Sequence, residues 1–384
     1  MPDRYVPYGR QLIEDDDIAA VIAALRSDYL TTGPLVGEFE QALAAVAGAN
    51  YAVSVSSGTA ALHAAYQALN LGPGDEVVTS PLTFAATANA ALYCGARPVF
   101  ADVDSATGLL DPAAAEAAIT SRTKAIVAVD YAGTPADYDR LTALAHRHGV
   151  ALVADAAHSL GASYKGKPVG SLATATVFSF HPVKTITTGE GGAVVTDVDD
   201  IAQAVRRFRT HGIERGRERL IEGDRPAWYH EMQSLGFNYR LTDIQSALGL
   251  SQLAKLRPFI ERRTELARHY SKALADLPGI RLPILPDDRT SAWHLYVLRV
   301  DEPTLRDPLF DGLRKRGIGV QVHYIPVYLH PYYRGLGYTA GTCPVAEKFA
   351  ASCLSLPLFP GLSASDFDYV IETVRRTVAE VAGR

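Results

Sequence analysis

The chain has 384 residues, 48% hydrophobic and 21% charged, more than one hydrophobic core usually organises, so two domains of unequal size are expected. A formal net charge of −5 leaves no global basic field, which argues against nucleic acid or an anionic membrane as partner and requires any anionic ligand to be caught locally. Only Cys94, Cys343 and Cys353 occur, with no CxxC pair, which argues against a disulfide framework or a zinc site and fits a reducing cytoplasm.

The opening stretch MPDRYVPYGRQLIEDDD carries charges where a signal peptide needs an apolar core. No apolar run reaches the ~18 residues of a membrane span, so a soluble, unprocessed chain is expected. Helical spacing of apolar positions over 11–30 and 36–48, parted by Thr31-Thr32-Gly33-Pro34, predicts an arm leading into the main fold. From residue 51 short apolar runs alternate with helical segments: YAVSVSS, EVVTSP, RPVFADV, TKAIVAVDY, VALVADAA, ATVFSFHP and GGAVVT. That rhythm predicts a mostly parallel sheet covered on both faces, in a large α/β domain over 1–250. A long polar helical region over 242–278, interrupted at Pro258, leads into a smaller α+β domain over 251–384. Its expected strands are RLPIL, AWHLYVLRV and GIGVQVHYIP, with helices near 303–316, 343–354 and 364–382.

Three motifs carry chemistry. Ser56-Ser57-Gly58-Thr59 lies between a strand and a helix, where free N–H groups and the positive dipole end make a phosphate cup, although Ser and Thr there also serve as plain N-caps. Asp155 ends the apolar strand VALVA, at the sheet edge where ligands of open α/β folds gather. A sheltered carboxylate there needs a cationic partner, and a protonated pyridine nitrogen is one; helix capping is the alternative. His158, two residues past Ala156, could pack against such a ring or be a satisfied structural histidine. The third motif is Ser179-Phe180-His181-Pro182-Val183-Lys184 followed by Gly189-Glu190-Gly191-Gly192. A lysine just past a strand and among small residues is partly desolvated, which lowers its pKa as imine formation demands. Ser179 can add a hydroxyl to the phosphate. The ordered set predicts a pyridoxal 5′-phosphate (PLP) enzyme of the aspartate-aminotransferase fold, fold type I, with Lys184 holding the cofactor as a Schiff base.

The same residues resemble the DegT-like sugar aminotransferases along nearly the whole chain, through YGRQLI, LTTGP, SSGTAALHAA, TFAATANA, VADAAHSLGA, FSFHPVKTITTGEGGAVVT and GFNYRLTDIQSALG. The resemblance implies that Lys184 forms the imine, that Asp155 pairs with the pyridine nitrogen, and that Gly58, Thr59 and Ser179 bind the phosphate. It also implies that Asn238 reaches the phosphate of a neighbouring subunit in a homodimer with shared sites, and that Phe84 stacks on the cofactor ring. Many members have Gln where this chain has His158. VDYAG, ADAAHSLGA and FSFHPVKTITTGEGG look most like the branch that aminates UDP-linked 4-keto-6-deoxy-N-acetylhexosamines, as in pseudaminic acid biosynthesis. The expected reaction is ping-pong transfer from L-glutamate to such a nucleotide sugar, with a dTDP- or GDP-linked keto-sugar as the alternative acceptor. Candidate substrate contacts are Thr32, His181, Arg240, His323, Tyr324 and Tyr328.

Three other readings compete. A PLP-dependent sugar dehydratase resembles this pattern but carries histidine at the imine position, where this chain has Lys184. A cysteine desulfurase needs a mobile catalytic cysteine, whereas Cys343 and Cys353 fall in a helical stretch. A non-catalytic PLP-binding regulator is the most different class, and the intact Lys184 and Asp155 argue against it.

Overall fold

The computed structural model describes residues 4–382; residues 1–3 and 383–384, at the two ends of the expected domains, lie outside it. Its centre is a seven-stranded sheet in the order Tyr51–Val55, Gly192–Thr196, Ala175–Ser179, Ala151–Asp155, Thr123–Val129, Glu76–Thr79, Arg97–Phe100. Gly192–Thr196 runs antiparallel to both its neighbours, and the remaining pairs are parallel. The apolar runs are continuous because both faces are covered. Thr123–Val129 sends Ile126 and Ala128 into one buried cluster with Phe39, Leu141 and Phe178, and Val127 into the opposite cluster with Val53, Val153 and Val177.

The arm is two helices, Asp15–Leu25 and Pro34–Ala47, shorter than expected on the first. The long polar region is also two helices, Asp243–Ala254 and Leu256–Ala273, but the break is at Lys255 rather than Pro258. Pro258 sits in the first turn of the second helix, where its missing N–H has no intrahelical partner to lose. Lys255 is tied to the arm by an ion pair with Glu14 at 3.1 Å, another with Asp17 at 2.8 Å, and a close contact with Asp16.

A three-stranded sheet, Ile280–Arg281, Tyr296–Val300 and Cys353–Leu356, packs under helices Arg306–Lys315 and Ala364–Ala382. Two expected strands differ. RLPIL contributes only Arg281, to the strand Ile280–Arg281, since Pro283 within it supplies no ladder donor. GIGVQVHYIP makes only isolated bridges, Ile318 to Val6 and Gln321 to Ser355. The helix expected near 343–354 ends at Ser352 and hands over to the strand Cys353–Leu356. Among the described residues no helix is long and apolar enough to cross a membrane.

Candidate active site

Two rows of paired residues bring the motifs together. Val55 and Ser179 both pair with Gly192, so the ends of Tyr51–Val55 and Ala175–Ser179 are held one strand apart. Val129 pairs with Asp155, which pairs with Val177. Ser57, Gly58, Thr59, Phe84, Asp155, His158, Ser179, His181, Lys184, His323 and Tyr324 thereby line one cavity of about 640 Å³.

At one end lies the helix Gly58–Ala68, capped by Ser57, whose Oγ accepts the Ala60 N–H at 3.1 Å. The Ser57 hydroxyl is thus engaged in capping, and the backbone of Gly58 and Thr59 faces the cavity at the dipole's positive end. A Cβ at Gly58 would lie 2.9 Å from Ser179 Cβ and 3.1 Å from its Oγ, so only glycine lets the helix start this close to that hydroxyl. Phe84, 65% exposed, stands at the wall beside the helix Ala86–Tyr93.

In the middle, Asp155 is buried and has no ion-pair partner among the described residues. Thr87 Oγ1 donates to its Oδ2 at 2.5 Å, and the Ala157 N–H reaches Oδ1 at 3.3 Å. Burial holds its pKa above the usual carboxylate range against these donors and the Lys184 charge. Burial pulls the Lys184 ammonium down to about 8, with Asp155 opposing the shift. A phosphate cup, an aromatic wall, a buried carboxylate wanting a cation and a buried amine of lowered pKa are the complement of PLP: phosphate, planar ring, pyridine nitrogen and aldehyde.

Beyond Lys184 the wall is aromatic. His158 Nε2 lies 3.2 Å from Tyr324 Oη, and its ring packs against that of His294 at a tilt of 34°, with centroids 4.2 Å apart. Gly133, at φ +99°, permits that approach, because a Cβ there would lie 2.8 Å from His294 N and 3.0 Å from His158 O. Nδ1 of both histidines lacks a protein partner, and burial keeps both rings neutral. His323 Nδ1 is bonded to Ser355 Oγ at 2.8 Å, and burial pushes its pKa down to about 4.

Four expected contacts lie elsewhere. Tyr328 is a correction: it is fully buried, its hydroxyl donates to Glu347 at 2.6 Å and accepts the Cys343 N–H at 3.0 Å, so it is a core residue and touches no ligand space. Thr32, Asn238 and Arg240 are also outside this chain's own cavity. Thr32 is exposed in the arm turn. That turn is fastened to the 238–243 loop by the Thr31–Thr242 bridge and by Asp243, which accepts the Gly33 N–H at 2.7 Å. Residues with no place in the sequence reading are Tyr8, Thr83, Thr87 and His294, all lining the cavity. The pair Thr83 and Thr87, four apart and 2.7 Å between hydroxyls, flanks Phe84 in TFAAT, and this spacing was the available signal.

The chain matches the DegT/DnrJ/EryC1/StrS aminotransferase family model over residues 11–375. It is 43% identical over 381 residues to the spore coat polysaccharide biosynthesis protein SpsC of Bacillus subtilis, covering 98% of each chain. It superposes on PseC of Helicobacter pylori, an aminotransferase involved in the biosynthesis of pseudoaminic acid, with TM-score 0.92, 36% identity and coverage of 98% and 100%. The PLP form of the sugar aminotransferase-like Spr1654 of Streptococcus pneumoniae gives TM-score 0.92 at 31% identity, covering 98% and 100%. The fold is therefore that of the fold type I aminotransferases, and the chain belongs to the DegT/DnrJ/EryC1/StrS aminotransferase family.

Proposed function

We propose that this family member is a PLP-dependent transaminase that moves an amino group from L-glutamate to a UDP-linked, N-acetylated 4-keto-6-deoxy sugar. The observation that carries the reading is the buried Lys184 amine, its pKa near 8, sharing one cavity with the buried Asp155 carboxylate and the Gly58–Thr59 cup. Bound PLP supplies the electron sink and carries the amino group between the two substrates. Lys184 Nζ anchors it, and once released takes a proton from the carbon bearing the donor amine and returns it as acid. Asp155 holds the ring nitrogen protonated, with Thr87 keeping the carboxylate charged and oriented. The Gly58 and Thr59 N–H groups and the Ser179 hydroxyl take the phosphate, and Phe84 covers the ring face. His158, which lines the same cavity, would pack against the ring.

Both substrates are anions, yet Lys184 is the one lysine or arginine lining the cavity among the described residues. Further positive charge must come from outside this wall. Support for a homodimer with shared sites is the patch formed by Thr32, Asn238 and Arg240, flanked by exposed Tyr29, Leu30, Leu235 and Phe237. A second copy meeting that patch would receive Asn238 at its phosphate and Arg240 beside its substrate. His181 and His323 line the same cavity as candidate substrate contacts.

A desulfurase reading is disfavoured because all three cysteines are buried, with burial pushing Cys94 and Cys353 up to about 11 and Cys343 to about 12. Three free thiols suit a cytoplasmic enzyme. The acceptor is tested by competition between sugars that differ at the nucleotide or the acetamido group. A clear preference for the UDP-linked N-acetyl sugar is expected; equal efficiency with a dTDP-linked sugar lacking the acetamido group would refute the narrow acceptor and leave the transaminase reading standing.

A further inference from the structure

Tyr8 lines the cavity from a strap formed by the first described residues, from Arg4 onward. The strap is stitched to the carboxyl-terminal part of the fold: Val6 N–H donates to Gly317 O at 2.8 Å, Gly319 N–H to Val6 O at 2.7 Å, and Leu358 N–H to Tyr8 O at 3.0 Å. Val6 is buried with Ile318, Val320 and Leu358. The Tyr8 backbone is therefore anchored, and its ring sits 5.6 Å from the ring of His323. Of the two tyrosines lining the cavity, Tyr324 is bonded to His158, whereas the hydroxyl of Tyr8 has no protein partner among the described residues. A tyrosine anchored in the cavity wall with its hydroxyl free of any protein partner, like the unpaired Nδ1 atoms of His158 and His294 in the same wall, is placed for a ligand.

The chemistry of that wall selects among ligands. Burial keeps the Tyr8 phenol protonated, and His158, His294, His323 and Tyr324 are uncharged at neutral pH. Neutral donors on aromatic rings suit hydroxyl, ether and carbonyl oxygens of a sugar, and the apolar face of its ring. A dicarboxylate calls instead for charged donors. We propose that Tyr8 is a specificity residue for the acceptor, its hydroxyl bonding a neutral oxygen of the keto-sugar while the amino donor makes no use of it. This rests on the transaminase reading above, in which the two substrates are handled in separate half-reactions.

The test is single-turnover kinetics of each half-reaction with Tyr8→Phe, which retains the ring against His323. Loss of one neutral hydrogen bond predicts a fall of about five- to tenfold in kcat/KM for the sugar half-reaction, carried mainly by weaker binding. The glutamate half-reaction should stay at the wild-type rate, and the melting temperature should show that the strap remains folded. An equal fall in both half-reactions, a fall with glutamate alone, or no change in either overturns the proposal. Failure of the wild-type protein to react with glutamate at all would refute the transaminase reading, a result distinct from any behaviour of Tyr8→Phe.

Discussion

Thr87 and Asp155, 68 residues apart, are joined by a 2.5 Å hydrogen bond inside the cavity, with the Thr83 hydroxyl 2.7 Å behind Thr87. The donor lies on the helix Ala86–Tyr93 and the acceptor ends the strand Ala151–Asp155, so one bond links two layers of the fold at the reacting end of the sheet. It opposes the burial that raises the carboxyl's pKa.

Removing that bond should shift the pH dependence in a defined direction. Thr87→Val deletes a donor that favours the charged form, so the Asp155 pKa rises further and the acidic limb of the rate profile moves to higher pH. A hydrogen bond to a charged group contributes about 1.5–3 kcal/mol, so a loss of roughly tenfold to a hundredfold in turnover is expected. Thr87→Ser should restore most of it. A pH–rate profile of the three proteins decides; an unmoved acidic limb would show that the bond has no electrostatic role.

Lys184 illustrates a group kept at a cost to stability. Its pKa is about 8 in the fold against 10.5 for the free side chain, so between these values the unfolded chain binds more protons. Stability of the cofactor-free protein should therefore rise with pH from about 8 to 10.5, and below that window the buried charge is a standing penalty. Lys184→Met should melt higher than cofactor-free wild type at pH 7, by up to about 3 kcal/mol, with the gap closing at alkaline pH. The same variant should lack the visible imine band and all transamination. Melting curves at two pH values and one spectrum check both halves of the statement.

The ends of the strands were legible in the sequence. VALVA and ATVFS are short strand runs that end at Asp155 and Ser179, and the spacing between them leaves room for one crossover, which let Asp155 and Lys184 meet at one sheet edge. Lys184 followed from the ordered set of phosphate cup, strand-end Asp155, Ser179 five residues ahead of the lysine, and the Gly-rich turn after it. What stayed hidden depends on which distant segments meet. Thr87 and His294 look like ordinary helix and strand residues until sheet order brings them to Asp155 and His158. Tyr328 misled because a tyrosine four residues past Tyr324 reads equally as wall or core, and the partner that buries it, Glu347, is 19 residues further on. Pro258 misled for a local reason, since it marks a first turn as readily as a break.

Shared active sites give complementation between two defective chains. Mixing Lys184→Ala with Asn238→Ala produces heterodimers in which one site carries both defects and the other neither. Activity should rise above either parent, toward about a quarter of wild type for a statistical mixture. No recovery, with sizing that shows mixed dimers did form, would place Asn238 in its own subunit's chemistry or outside it.

The most direct measurement is half-reaction spectroscopy of the purified holoprotein. Addition of L-glutamate alone should abolish the visible imine absorbance and leave the near-ultraviolet band of the aminated cofactor, with one equivalent of 2-oxoglutarate released per site. Addition of a UDP-linked 4-keto-6-deoxy-N-acetylhexosamine should then restore the imine band. An imine spectrum that persists unchanged against glutamate and a full panel of amino acids would contradict transamination by this chain.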